Sequence, residues 1–245
     1  MNTPKSGLTP LKKRPAYLMV FDALEEEILS GRLAEGDSVP TEMALCEQFD
    51  VQRSTVREGI RLLEQSGLVV RNGKRLTVVR PKTEEAAESA SRGLARHGVR
   101  FIDVWEANLA ILPGTARLAA QKIRAKDRKR LSGITTRLST TEQSEEIVSL
   151  GIEYLMAIAE VTGNRVLGVM VHSLKLLLES SLQQVIEALP NPRDRIVRAQ
   201  TEINQALEGK DADQAEAWML RHLEDLRRGY LVAGVDLSSE VGTFL

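Results

Sequence analysis

The chain has 245 residues, enough for two separate cores. Apolar residues make up 42% and charged residues 27%, which excludes neither a globular class nor any partner, but the 4% aromatic content with abundant Leu and Ala leans helical. The net charge of −1 is uninformative by itself, so the placement of charge has to carry the reading. No run reaches the roughly 18 apolar residues a membrane span needs. No apolar stretch of signal-peptide length follows Lys5, Lys12, Lys13 and Arg14, so a cytoplasmic protein is expected. The one cysteine, Cys46, fits a reducing compartment and reads as a small core residue.

Residues 1–14 are polar, with Pro4 and Pro10, and read as a flexible arm. Tyr17, Val20, Phe21, Leu24 and Ile28 share one helical face, which predicts a helix from Ala16 to Ser30, stopped by Gly31. After Pro40, Thr41 is a fitting N-cap for a second helix, Glu42 to Phe49. Asp50 and Val51 make a short turn into a third helix, Gln52 to Gln65. Residues 68–71 and 76–79 read as strands, with Asn72-Gly73 between them as a hairpin signal. Helix, helix, helix and hairpin over residues 15–80 is the element order of a winged helix-turn-helix.

The third helix has two edges. Val56, Ile60 and Leu63 form an apolar stripe, and Arg53, Arg57 and Arg61 a cationic one beside it. From Gln52 to Lys82 eight basic residues face only Glu58 and Glu64, which is the footprint of a phosphate-binding surface. Arg at a helix start suits guanine O6 and N7, while Ser54 and Thr55 suit phosphate or base edges. The Gly73-Lys74-Arg75 tip is short and basic enough to reach an adjacent groove.

These residues also resemble a known family. Leu33, Gly36 and Val39-Pro40-Thr41-Glu42, with the block Val51 to Val69, are similar to the DNA-binding segment of GntR-family regulators. The resemblance implies that Arg53 and Arg57 contact bases or nearby phosphates, Thr55 contacts phosphate, and Gly73 sits at the wing tip. Three positions depart from the pattern. Met43 stands where an Arg is usual, Gln52 where a capping Ser is usual, and Arg75 where many members have a second wing Gly. Gln52 could read a base instead of capping.

Residues 81–98 are rich in Ala and Glu and read as a linker, in the form of a polar helix. Six helices then follow, at about 100–125, 127–142, 144–162, 164–183, 192–209 and 211–233, with Pro113 expected to kink the first. Residues 99–235 thus read as an antiparallel helical bundle, and 236–245 as a loose tail. The fold class is mainly α, with one small hairpin. This order resembles the FadR-type effector domain of the same family, also called FCD.

Trp105, Asn108, Leu112, Leu155, Gln200 and His222 are the candidate pocket residues, all on or beside apolar stripes. Their buried polar groups either satisfy each other or line a ligand cavity. Many such domains hold a divalent metal through one Asp and three His. The matching positions here are Gly151, Leu155, Gln200 and His222, of which only His222 is a good ligand. No metal or other cofactor is therefore expected. With Asn108 at a commonly basic position and Leu112 at a commonly acidic one, the pocket reads as stripped of charge and suited to a less anionic effector.

The resemblance implies a homodimeric repressor or activator that binds palindromic double-stranded operator DNA and responds to a small molecule. The alternative is a dimeric DNA-binding protein with no effector. An enzyme is the remote third reading, because the sequence shows no nucleophile–base pair, no Gly-rich phosphate loop and no metal set.

Overall fold

A computed structural model describes residues 14–73, 75–79 and 82–241. Residues 1–13, the body of the expected arm, lie outside the described residues, as do Lys74 and Arg80. The chain divides into two compact units, with the boundary at Lys82 and Thr83.

The N-terminal unit contains α1 (Ala16–Leu29), α2 (Glu42–Phe49) and α3 (Arg53–Gln65), then β1 (Val69–Asn72) and β2 (Arg75–Val78). Thr41 caps α2 as expected, its Oγ1 accepting from the Ala44 amide at 3.2 Å. Asp50 takes a left-handed conformation, φ 51°, and ends α2 so that α3 can start three residues later. Gln52 sits at the α3 N-cap and makes no side-chain cap bond. Val20, Leu24, Leu45, Val56, Ile60, Leu63, Val69 and Val78 close a small core beneath α3.

The hairpin register differs from the expectation by one residue. Asn72 pairs with Arg75 inside the ladder, so Asn72 is part of the strand and not of the turn. Gly73 has the positive φ, 62°, that glycine adopts freely. Segment 36–39 lies along the outer edge of β2, with Val39 N donating to Leu76 O and Val78 N to Asp37 O, both 2.9 Å. That edge is thereby closed to foreign strands.

The C-terminal unit is all helical: α4 (Thr83–Arg96), α5 (Phe101–Lys122), α6 (Ala125–Thr140), α7 (Ser144–Val161), α8 (Arg165–Ala188), α9 (Pro192–Glu208) and α10 (Ala212–Val232). Consecutive helices joined by short turns pack side by side (α6 on α7, α7 on α8, α9 on α10), and α5 packs chiefly on α10. Pro113 lies inside α5, which continues through it.

Two stretches behave differently from their sequence reading. Residues 83–96 are not a free connector: Ala87 is fully buried, Leu94 and Ala95 join the core, and α4 packs on α8. The small residues Ala87 and Ser91 make a stripe too weakly apolar to stand out in composition. The tail is not loose as far as Val241. Phe101 N donates to Ser239 O, Ile102 N to Leu237 O and Val241 N to Val99 O, at 2.9–3.1 Å. The first two satisfy first-turn amides of α5 that have no partner within the helix. Val241 is buried.

Gly229 permits the close approach of α10 to the end of α8. A Cβ there would stand 2.8 Å from both Val185 Cγ1 and Leu189 Cδ1. Gly229→Ala should therefore cost about 1–3 kcal/mol, the usual penalty for overpacking a tight contact. Denaturant unfolding of the C-terminal unit should show a lower midpoint, and an unchanged midpoint would contradict the close packing.

Candidate functional site

On α3 the burial pattern separates the two edges cleanly. Val56, Gly59, Ile60 and Leu63 are buried against the core. The Arg53, Arg57 and Arg61 side chains are 76%, 68% and 57% exposed, so the cationic edge points to solvent. Gly59 is needed for this seating, because a Cβ there would come within 2.7 Å of Val20 Cγ1 and 3.0 Å of Tyr17 O on α1.

Glu42, at the start of α2, faces the arginines. Arg53 Nε donates to Glu42 Oε2 at 2.8 Å, and Arg57 Nε lies 3.7 Å from Oε1. A carboxylate that takes the Nε of Arg53 steadies the side chain and leaves its terminal N–H groups free to reach a base edge. Gln52 and Ser54 are exposed beside them, and Thr55 is half-buried. Thr41 lies at the α2 cap. Gly73 and Arg75 are exposed on the hairpin, where Arg75 donates to Ser38 Oγ. Lys74, the remaining expected contact, lies outside the described residues.

In the C-terminal unit, Trp105, Leu112 and Leu155 belong to the one large apolar core, and Asn108 and Gln200 are 1% exposed. Asn108 Nδ2 donates to Val104 O at 2.8 Å, while its Oδ1 has no partner among the described residues. Gln200 Oε1 accepts from Thr135 Oγ1 at 3.0 Å, and its Nε2 has no partner among the described residues. The same holds for the indole Nε1 of Trp105. Asn204 Nδ2 donates to the same Thr135 hydroxyl, and Tyr154 OH lies 2.8 Å from Asn204 Oδ1. The polar residues thus satisfy one another only in part. His222 opens on a groove of about 350 Å³ between α9 and α10, rimmed by Arg198, Trp218, Arg221 and Arg228. Burial, reinforced by the nearby Lys175, pushes its imidazole pKa down to about 4.

Lys175 was missed in the sequence. It lies on α8, is 1% exposed, and makes no hydrogen bond or ion pair among the described residues. Lys175 acts electrostatically on His222, so a buried charge stands near one of the expected pocket residues; the expectation weighed positions on α5, α7, α9 and α10 and passed over α8. A usable signal existed. Leu174, Leu176, Leu177 and Leu178 surround it in a helix apolar on nearly every face, which leaves a mid-helix lysine no route to solvent.

The four positions that match the family's metal ligands do not make a transition-metal site. Gly151 offers no donor atom, Leu155 is hydrocarbon, and the Gln200 amide oxygen is engaged by Thr135. One imidazole remains, which is too few.

The arrangement matches proteins already known. Residues 16–79 match the family model described as bacterial regulatory proteins, gntR family, and residues 103–225 match the FCD domain, which spans half the chain. The chain belongs to the GntR family. It is a DNA-binding transcription regulator whose C-terminal FCD domain is a ligand-binding effector domain. It is 28% identical over 230 residues to the transcriptional repressor NanR of Cronobacter sakazakii, covering 90% of this chain and 87% of that one. It is also 28% identical over 217 residues to the transcriptional regulator LutR of Bacillus subtilis, covering 85% and 99%. The solved structure of a Streptococcus agalactiae GntR protein shares the fold, with a TM-score of 0.61 at 23% identity over 86% of this chain and 99% of that one. No helix among the described residues of this GntR-family chain is long and apolar enough to cross a membrane.

Lys175 supplies a stability test. Burial lowers its pKa from the usual 10.5 to about 8. Below pH 8 the ammonium is charged in both folded and unfolded chains, and the folded chain bears the full desolvation cost, about 3 kcal/mol. Between pH 8 and 10.5 the unfolded chain binds more protons, so stability rises with pH. His222 is neutral throughout this window. Lys175→Met should therefore be more stable than the parent at pH 7, with the gap closing as pH climbs toward 10.5. Melting curves at several pH values check this, and a variant less stable at pH 7 would contradict it.

Proposed function

We propose that two copies of the chain read a twofold-related operator, each inserting the start of α3 into the major groove. Arg53 and Arg57 are the base-reading residues, with Gln52, Ser54, Thr55 and Thr41 contacting bases or phosphates around them. Gly73, Lys74 and Arg75 approach the neighbouring groove. The carrying observation is the outward, Glu42-steadied arginine edge on a helix whose opposite edge is locked in the core.

A small molecule bound in the C-terminal core, among Trp105, Asn108, Leu112, Leu155, Gln200 and His222, changes operator affinity by favouring one arrangement of the two DNA-binding units. The unpartnered polar atoms of Trp105, Asn108 and Gln200 favour this reading over a C-terminal domain that only dimerises. The protein works in the cytoplasm as a regulator and performs no chemical step.

A duplex selected from random sequence by the purified protein supplies the operator. Arg53→Ala with Arg57→Ala should weaken binding to it by about 100-fold or more, each bidentate Arg–guanine contact being worth about 1–3 kcal/mol. Circular dichroism should remain that of the parent. Parent binding should also fall steeply with salt, log Kobs against log salt being linear. A double variant that binds as well as the parent would remove α3 from the interface.

A further inference from the structure

The seam between α9 and α10 gathers more positive charge than the protein neutralises. Its groove of about 350 Å³ is lined by Arg195 and Arg198 from α9 and by Arg221 and Arg228 from α10. Two carboxylates share it, Glu224 and Asp225. Asp225 is already committed: Arg195 Nε donates to its Oδ2 at 2.9 Å, and Arg195 Nη2 donates to its Oδ1. Residues 221, 225 and 228 follow the spacing of one α10 face, so two guanidinium groups flank a carboxylate that Arg195 takes from across the seam. Arg198, Arg221 and Arg228 are exposed and form no ion pair among the described residues, and neither does the exposed Glu224. Like charges facing one concave surface repel, and a bound anion removes that cost.

Trp218 gives this patch a shape that a merely solvated face lacks. The Arg221 guanidinium lies over the indole ring, its carbon 4.7 Å from the ring centroid. Stacking occupies the flat face of the guanidinium and leaves its N–H edge free to donate. Arg221 is thereby held ready for an oxyanion before one arrives. Guanidinium forks match phosphate oxygens in pairs, and a phosphate monoester offers three terminal oxygens and about two negative charges. That charge suits a cluster of unpaired arginines better than a single carboxylate would. The half-buried indole and the buried Ala199 give the organic body a surface to lie on. His222 also lines the groove, and with its pKa near 4 it is neutral at pH 7, so the positive charge there is the arginines' own. Trp105, Asn108, Leu112, Leu155 and Gln200 do not line it, so the groove is distinct from the core among those residues.

We propose that the α9–α10 groove is a second binding site, on the surface of the C-terminal unit, for an organic phosphate monoester. Arg198, Arg221 and Arg228 hold its phosphate, and its body lies against Trp218. The site depends neither on what the core binds nor on the DNA-reading edge of α3.

The test uses the full chain at fixed ionic strength. Glucose 6-phosphate, adenosine monophosphate, inorganic phosphate and glucose are added singly, and calorimetric titration and thermal unfolding are followed. At least one of the two esters should bind, raise the melting temperature and outcompete inorganic phosphate, while glucose should do nothing. Arg198→Gln with Arg221→Gln should melt as the parent does without ligand and bind that ester at least about tenfold more weakly, the scale of a lost hydrogen bond to a charged group. Lys126→Gln with Lys129→Gln removes the same charge from exposed α6 positions and should bind the ester as the parent does. Four results overturn the proposal: no response to either ester, a response to glucose or inorganic phosphate that equals the ester's, an undiminished response in the arginine variant, or an equal loss in the lysine variant. The selected duplex is titrated with the same proteins, and the arginine variant should bind it as the parent does. Weakened duplex binding by that variant, with no ester bound by the parent, would assign the groove to nucleic acid and also overturn the proposal.

Discussion

Everything the N-terminal unit presents to a duplex depends on the burial of one stripe of α3. Val56, Ile60 and Leu63 occupy the small core with almost no exposed surface. The opposite edge of the helix must then face outward, and that edge carries Arg53, Arg57 and Arg61. The orientation is thus set by hydrophobic burial, which has no directionality of its own, acting through the 3.6-residue helical period. Glu42 refines it, because a carboxylate beside two guanidinium groups restricts where they extend. Its ion pairs are exposed and contribute little to stability, so their effect is one of positioning.

The C-terminal unit obeys an opposite logic. A core built for stability alone would hold no lysine, and its amides would be fully paired. Here α5, α8 and α9 each carry a polar group that the fold leaves unmet, beside a partly closed Thr135–Gln200–Asn204–Tyr154 network. The network shows that these helices can satisfy polar side chains where needed. The groups left over therefore mark a local sacrifice of stability, of the sort that recognition sites require.

Periodicity and capping made most of the fold readable from residues alone. The α2 boundaries follow from Thr41 and Asp50, and the bundle helices from Gly and Pro punctuation such as Gly163-Asn164 and Pro190-Asn191-Pro192. What escaped was whatever depends on distant partners. The end of the hairpin is set by pairing of Asn72 with Arg75, not by the Asn-Gly dipeptide. Helix α4 looked solvated because its buried stripe is made of small residues. Of the candidate site, the arginine edge was legible because it lies on one helix. Lys175 was not weighed, although its place in a helix apolar on nearly every face signalled its burial, because the helices packed on α8 are distant in sequence.

The seam between residues 99–102 and 237–241 joins the opening of the effector domain to the far end of the same domain. The N-terminal unit needs no residue beyond Lys82 to complete its core. On a growing chain, local contacts form first and such remote ones last. The DNA-reading module can accordingly mature early in synthesis, while the domain that governs it stays incomplete until its closing strap emerges. Competence to hold DNA would precede competence to respond to a ligand.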